Sequence, residues 1–284
     1  MSATNSKVIK GNVERAAKKA AFSPLMEALA RVGYGVRGLI YITMGLLAVS
    51  VTLGKGGAPA DQQGAIAAIG RQPAGMFFLW LVLIGLVSYS LWGVIRAVLD
   101  PLHKGRDLKG LLARAGYLFS AVSYALLILP TYASITGAGR PAQNGAQSQQ
   151  SLASIMSTPW GRWAIGLVGL AVIAVGLYQI FQGFNNSFDK QFQTYALKAE
   201  EMKLVKQLGR FGTATRGFIF VLVGGSLFLA AYHFAPNKPV GIDAALASLL
   251  RQPYGIWLLG IVAVGLIAFG IYSMLSAAWF RLKR

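Results

Sequence analysis

The chain has 284 residues, a formal net charge of +18, no cysteine, and 55% hydrophobic against 13% charged residues. Its mean hydropathy of +0.54 exceeds what one soluble core of this size requires, which places the chain among membrane proteins. The positive charge could suggest a nucleic-acid partner, but the basic residues cluster on alternate connections rather than on one face of a soluble domain, which disfavours one. Without cysteine, the chain has no disulfide, thiolate metal site or cysteine nucleophile.

Six long apolar segments dominate the rest of the sequence. Residues 1–23 are basic and lack the short apolar core and cleavage site of a signal peptide, so we expect a cytoplasmic tail there. Each apolar segment is long enough to cross a hydrocarbon layer of about 30 Å, which takes about 20 helical residues. The predicted spans are residues 33–53, 74–95, 115–135, 163–184, 212–234 and 254–280.

Shorter elements are predicted between the spans. Basic segments before the odd-numbered spans predict short interfacial helices along the inner surface, at residues 24–31, 108–114 and 200–210. Small amphipathic helices are expected on the outer side at residues 65–70, 151–156 and 244–250, with Pro73, Pro159 and Pro253 in the first turn of the span that follows each. Pro130 is expected to kink the third span, and residues 137–150 to form a mobile connection.

The sequence repeats one pattern three times. Arg31, Gly33, Arg37, Gly38 and Tyr41 correspond to Arg114, Gly116, Ser120, Ala121 and Tyr124, and again to Arg210, Gly212, Arg216, Gly217 and Phe220. Because each copy holds two spans, all copies have the same orientation, and a pseudo-threefold, all-α bundle of six helices is the economical expectation. The repeats are residues 24–100, 101–185, which is divergent, and 186–284.

The basic residues favour alternate connections. Most of the 27 lie in the N-terminal tail, at the C-terminus, or between the second and third and the fourth and fifth spans. The positive-inside rule therefore predicts that both termini are cytoplasmic, and the basic face suits anionic lipid headgroups. The exceptions are Lys55, Arg71, Arg140, Arg162, Lys238 and Arg251.

Two arginines inside spans are the sharpest candidates for function. Residues four apart share a helix face, so Gly33, Arg37 and Tyr41 form one stripe, as their counterparts do. Arg37 lies about 6 Å inward of Gly33, shallow enough for its side chain to snorkel to the headgroups. We predict a site for an anion or lipid headgroup at the inner side, formed by Arg37, Arg216, Ser120, Arg96, Gln179, Gln182, Tyr41 and Tyr124.

The sequence offers little chemistry beyond this site. No Asp or Glu lies inside a predicted span, which disfavours proton or sodium coupling. His103 with Asp100 could form an acid/base or metal pair, but a solvated charged loop has the same composition, and His233 is interpreted as an interfacial residue. The glycine pattern of a dinucleotide-binding loop occurs at Gly33-Tyr34-Gly35-Val36-Arg37-Gly38. Such a loop needs a strand before it and a soluble helix after it, whereas this segment begins a membrane span, so we do not interpret it as a nucleotide site. We therefore predict no cofactor, no metal and no catalytic residue.

The repeated motifs resemble those of a known family. Arg31-Val32-Gly33-Tyr34 with Arg37-Gly38, Gln72-Pro73-Ala74-Gly75, and the third-repeat counterparts Arg210-Phe211-Gly212 and Gln252-Pro253-Tyr254-Gly255 resemble bacterial multi-pass membrane proteins that carry the domain of unknown function 1206. The resemblance covers residues 29–277. It implies six spans in three repeats and a bacterial inner membrane, and it implies no activity.

Three functions are compatible with these residues. The leading hypothesis is a non-enzymatic protein that binds or moves a lipid or other amphiphilic anion, with membrane lipids as partners. The second is an interaction or assembly scaffold, in which seams of small residues such as Gly85, Gly176 and Gly265 pack a second copy or another membrane protein. The third is a lipid-modifying enzyme that uses His103 and Asp100.

Overall fold

The structure is a computed structural model that describes residues 24–100, 105, 107–137, 154–185, 199–233 and 240–279. The predicted tail, His103 and nearly all of the predicted mobile connection lie outside these residues. Within them every long element is helical. The helices are α1 (Pro24–Thr52), α2 (Gln62–Gly70), α3 (Gly75–Leu99), α4 (Leu108–Ala125), α5 (Ile128–Thr136), α6 (Pro159–Phe184), α7 (Ala199–Tyr232), α8 (Ile242–Leu250) and α9 (Gly255–Trp279).

Six helical segments are long and apolar enough to cross a membrane, as the sequence predicted. Five of them belong to single helices. The third runs over Gly110–Thr136 and consists of α4 and α5 together. The described part of the protein is therefore an all-α membrane bundle.

The predicted interfacial helices are not separate elements. Residues 24–31 and 108–114 are continuous with the spans of α1 and α4, and residues 200–210 are continuous with that of α7, so the expectation of a turn into the bilayer is wrong. The physical reason is that no proline separates the basic part from the apolar part, and a single glycine does not end a helix.

The short helices that were predicted on the outer side are present, but the prolines that follow them differ in their position relative to the next helix. α2 and α8 match the prediction, and residues 154–156 are helical. Pro159 is the first residue of α6, as predicted. The placement of Pro73 and Pro253 in a first helical turn is wrong, because each lies in a turn two residues before its helix begins. Ala74, in the left-handed region with φ 62°, makes the first of these turns.

Pro130 breaks the third span, as predicted. α4 ends at Ala125 and α5 begins at Ile128, with Leu126 and Leu127 in a turn between them. Proline has no N–H to donate to the carbonyl four residues earlier, which here belongs to Leu126. Beyond the break α5 packs against α3 and α2.

The spanning helices pack side by side in the order α4, α3, α1, α9, α7 and α6. Two of the three contacts between repeats, α1 with α9 and α6 with α7, are equivalent and use small residues. A Cβ at Gly38 would lie 2.7 Å from the Gly270 carbonyl oxygen, and a Cβ at Gly176 would lie 2.7 Å from that of Gly217. The backbones therefore approach as closely as the predicted small-residue seams require.

The contacts within repeats are not equivalent. In the first repeat, a Cβ at Gly33 would lie 2.8 Å from the Tyr89 Cα. In the third repeat, a Cβ at Gly212 would lie 2.5 Å from the Phe269 Cα. In the second repeat a Cβ at Gly116 would have no neighbour within 4 Å, and α4 and α6 form no comparable interface. We call the space between these two helices the α4–α6 cleft.

Candidate functional site

Arg37 is buried near the centre of the bundle and is held by two hydroxyl groups. Its Nε donates to the Ser273 Oγ at 2.8 Å, and its Nη1 donates to the Tyr89 Oη at 2.7 Å. The Ser273 hydroxyl in turn donates to the Tyr34 carbonyl oxygen at 2.8 Å. Arg37 is only 7% exposed, so the expectation that it snorkels to the headgroups is wrong: the neighbouring helices supply its partners instead.

Aromatic rings surround the Arg37 guanidinium. Its Cζ lies 4.9 Å from the ring centre of Tyr34, 5.1 Å from that of Tyr89 and 4.9 Å from that of Phe269. Rings at this distance attract a cation through their negative faces. They stabilise the charge only in part, since a ring carries no net charge.

Arg96, in the last turn of α3, enters the same cluster. Its Nη1 donates to the Tyr34 Oη at 3.0 Å, and its Cζ lies 4.4 Å from the Tyr117 ring centre. Although the residue is only 4% exposed, its Nε and Nη2 have no hydrogen-bond partner. Arg96 thus brings a second buried cation whose donors are incompletely satisfied.

Arg216 corresponds to Arg37 but has different partners. Its Cζ lies 4.9 Å from the Phe220 ring centre and 5.3 Å from that of Phe269, and its buried Nε has no hydrogen-bond partner. The sequence explains the difference: Phe269 stands at the position of Tyr89 and lacks a hydroxyl group, and Gln179 stands at the position of Ser273. Arg216 is also half-buried where Arg37 is buried.

Ser120 completes a path of polar groups across four helices. Its Oγ lies 3.4 Å from the Tyr89 Oη, which accepts from Arg37. Ser120, Tyr89, Arg37 and Ser273 thereby connect α4, α3, α1 and α9. Arg37, Arg96 and Arg216 all lie close enough to Tyr89 to interact with it electrostatically. We call these three arginines, with Ser120 and the surrounding rings, the arginine cluster.

The arginine cluster has no acidic partner in the described part of the chain. The ion pair found there joins Arg31 to Glu27, one turn apart on α1 and away from the cluster. Burying charge in a membrane is costly unless an opposite charge or enough hydrogen bonds compensate. Further buried polar atoms near the cluster also lack partners: the Oη atoms of Tyr41 and Tyr124, and the Gln179 Oε1.

The structure brings together most of the predicted site residues. Arg37, Arg96, Arg216, Ser120, Tyr41 and Tyr124 contribute to the arginine cluster or its rim, and Gln179 is buried on α6. Gln182 is half-buried on α6. Sequence reasoning missed Tyr34, Tyr89, Phe269 and Ser273. Comparison of positions 89, 175 and 269 across the repeats, which hold Tyr, Val and Phe, would have been the signal.

In the second and third repeats, the first arginine of the motif has a separate, structural role. Arg114 donates to the carbonyl oxygens of Ala97 at 2.7 Å and Val98 at 3.0 Å, at the end of α3. Arg210 donates in the same way to Gly183 and Phe184, at the end of α6. These contacts satisfy the unpaired carbonyls of a helix C-terminus and attach each repeat to the one before it.

The described residues contain no group of three His, Asp or Glu side chains that could hold a metal ion. His233 is exposed and contacts Tyr232 edge-on, with ring centres 5.1 Å apart. Asp100 accepts from the Gly105 N–H at 2.9 Å. The arrangement that stands out is therefore cationic, aromatic and buried.

Six spanning helices in repeated pairs around buried arginines define a multi-pass membrane protein. The family described as Domain of Unknown Function (DUF1206) matches the chain in three segments, at residues 32–100, 115–186 and 211–280. The chain belongs to this family. It is 32% identical over 256 residues to "Uncharacterized protein YxxB" of Bacillus subtilis (strain 168), a match covering 90% of this chain and 92% of that protein. No solved structure matches the chain.

Proposed function

We propose that the protein binds the anionic head of a membrane amphiphile at the arginine cluster, without chemical conversion. The observation that carries the proposal is a set of three guanidinium groups, buried at Arg37 and Arg96 and half-buried at Arg216, with no carboxylate paired to them in the described residues. An anion would supply the missing negative charge. It would also accept from the Nε of Arg216 and from the Nε and Nη2 of Arg96, which have no partner.

The donor set favours a phosphate or carboxylate head. Guanidinium groups bind planar or tetrahedral oxyanions through several N–H donors at once, and such charge-assisted bonds are stronger than neutral ones. The Tyr124 hydroxyl, which has no partner, can add a neutral donor. An oxyanion on an apolar tail also suits a site inside a bilayer.

The charge pattern and the family both support a location for the protein. We propose that the chain lies in a bacterial inner membrane with both termini in the cytoplasm, because the basic residues concentrate on alternate connections. Arg37 is six residues from Arg31, or about 9 Å along the helix axis. The arginine cluster would then lie below the headgroups of the inner leaflet, within reach of an anionic lipid.

The direct test is native mass spectrometry of the protein released from nanodiscs, with identification of the lipids that stay bound. We expect a defined anionic species on the wild type and its loss in the Arg37→Ala plus Arg216→Ala variant. The matched control is Arg114→Ala plus Arg210→Ala, which removes the same charge from residues that bind helix carbonyls outside the cluster. Retention in this control and loss in the first variant would tie binding to the cluster.

Other outcomes would point elsewhere. Equal occupancy in the wild type and both variants would make Arg37 and Arg216 structural and overturn the proposal. A dimer or a partner protein in every spectrum, without retained lipid, would favour the scaffold hypothesis. A modified lipid that accumulates with the wild type and not with His103→Ala would favour an enzyme.

A further inference from the structure

The middle repeat differs from the other two on both sides of its internal interface. In the first repeat the facing positions Gly33, Ile40, Gly85 and Tyr89 are buried, and in the third repeat their counterparts Gly212, Ile219, Gly265 and Phe269 are buried as well. In the middle repeat Gly116 and Ser123 are half-buried, and Ala171 is exposed. The α4–α6 cleft is therefore a lateral opening on one side of the bundle.

Two features of the sequence open this cleft. The helix break before Pro130 leads α5 towards α3 and α2, so the end of the third span does not cover α6. The smaller, half-buried Val175 occupies the position of Tyr89 and Phe269, whose aromatic side chains fill the equivalent space in the other repeats. Both changes remove material from one interface and leave the other two intact.

The walls of the cleft are apolar. The facing positions hold Gly116 on α4, which is half-buried, and Ala171 and Val175 on α6, which are exposed and half-buried, respectively. Ser123 donates its hydroxyl to the Phe119 carbonyl oxygen at 2.8 Å, so it leaves no free donor towards the cleft. A hydrocarbon chain is the occupant that such walls favour in a bilayer.

The floor of the cleft leads to a cation. The Phe119 ring of α4 contacts the Phe220 ring of α7 edge-on, with ring centres 6.1 Å apart. The Arg216 guanidinium lies 4.9 Å from the Phe220 ring centre, and its Nε has no partner. Behind α4, Ser120 continues the path through Tyr89 to Arg37. The Gln179 Oε1, on a residue only 9% exposed, is also unpaired.

We infer that the α4–α6 cleft admits one acyl chain of an anionic phospholipid from the surrounding bilayer, with the phosphate at Arg216. The inference rests on the proposed function and adds the route and the kind of ligand. Charge complementarity selects the occupant: the floor is cationic and incompletely paired, and the walls are apolar. A free anion would gain nothing from apolar walls. A second copy of this chain would bring no carboxylate from its predicted spans to these cations, because residues 33–53, 74–95, 115–135, 163–184, 212–234 and 254–280 contain no Asp or Glu.

The test fills the cleft without touching the arginines. A Cβ at Gly116 meets no atom within 4 Å, so Gly116→Trp adds its bulk between α4 and α6 without an immediate clash at Cβ. Ala171→Trp adds the same bulk from α6, on the opposite side of the cleft. Gly225→Trp is the matched control, since Gly225 is also a helical glycine whose Cβ would meet no neighbour, on α7 away from the cleft. Thermal unfolding checks that each variant is folded.

The probes are nanodiscs of phosphatidylglycerol or phosphatidylcholine, with a trace of phosphatidylglycerol that carries a photoreactive group in one acyl chain. On the wild type we expect photoadducts on α4 and α6 and retention of phosphatidylglycerol over phosphatidylcholine. Gly116→Trp and Ala171→Trp should each lower phosphatidylglycerol retention at least tenfold, and Gly225→Trp should leave it unchanged. The chain has no cysteine or reactive thiol that would complicate mapping of adducts.

The outcomes separate the two proposals. If Arg37→Ala plus Arg216→Ala loses the lipid and both cleft variants keep it, binding stands and the lateral route is wrong. If all of these variants keep it, both proposals fail. Displacement of the bound species by inorganic phosphate alone would identify a free anion and overturn the acyl-chain route. Conversion of a dimer to a monomer by Gly116→Trp, without loss of lipid, would assign the cleft to a second copy.

Discussion

The first and middle repeats have the same motif but use it differently. In the first, Gly33 allows α1 to approach α3 until a Cβ would lie 2.8 Å from the Tyr89 Cα, and the interface is closed. In the middle repeat Gly116 faces open space, and α4 and α6 stay apart. A glycine in a membrane helix therefore permits close packing but does not produce it: the partner helix must also present a surface to pack against.

The largest effect is expected from adding bulk to the two glycines. Gly33→Leu would force a side chain into the Tyr89 backbone and should lower the free energy of unfolding by about 1–3 kcal/mol or more. Gly116→Leu should raise it by up to about 1 kcal/mol, because leucine is the better helix former and nothing obstructs it. Thermal or denaturant unfolding in the same detergent would compare them. Equal losses in both would mean that α4 and α6 are closed in the membrane.

A smaller effect is expected from two neighbouring tyrosines, whose ring centres lie 4.6 Å apart. Tyr89→Phe removes the hydroxyl that accepts from Arg37 and should cost about 1.5–3 kcal/mol, the usual range for hydrogen bonds to charged groups. Tyr124→Phe removes a buried hydroxyl that has no partner and should be neutral or stabilising by about 1 kcal/mol. Unfolding of the lipid-free protein is the measurement, since a bound anion could give Tyr124 a partner. If Tyr124→Phe lowered the free energy of unfolding more than Tyr89→Phe, the Tyr124 hydroxyl rather than that of Tyr89 would make the stabilising hydrogen bond.

The smallest effect concerns Asp61, which caps α2 at the opposite end of the first repeat by accepting from the Gly64 N–H at 2.8 Å. Burial raises the pKa of this carboxyl above its ordinary 3.8, and the nearby Asp243 acts in the same direction. The folded state therefore holds the proton more tightly than the unfolded chain, and the free energy of unfolding rises as pH falls through the folded-state pKa towards 3.8.

Asp61→Asn should keep the helix cap but lose the pH-dependent gain in the free energy of unfolding. At neutral pH that free energy should change by about 0.5 kcal/mol or less. Unfolding measured from pH 7 to pH 4 is the check. Asp107→Asn, at the exposed N-cap of α4, is the control for a change of capping group. If Asp61→Asn followed the same pH curve as the wild type, another group would be responsible for the dependence.

The sequence predicted the spans, the repeats and the break near Pro130 because each depends on local properties: apolar length, periodicity and the missing proline N–H. It also selected Arg37 and Arg216, since a charge inside an apolar segment is visible without a structure. It could not show that Arg37 binds Ser273, which lies 236 residues away. The prediction of separate helices at residues 24–31 and 200–210 was wrong, because the composition changes at these points while the helical backbone continues.

Local sequence properties were enough to identify a six-span membrane protein of three repeats, with basic residues on alternate connections and cations within its helices. The packing of the helices shows that these arginines lie close together, that aromatic rings and hydroxyl groups rather than carboxylates surround them, and that one of three similar interfaces stays open. The reason is physical. Apolar length and charge are properties of a segment, whereas the partner of Arg216 or the neighbour of Gly116 depends on which surfaces distant helices bring to the same place.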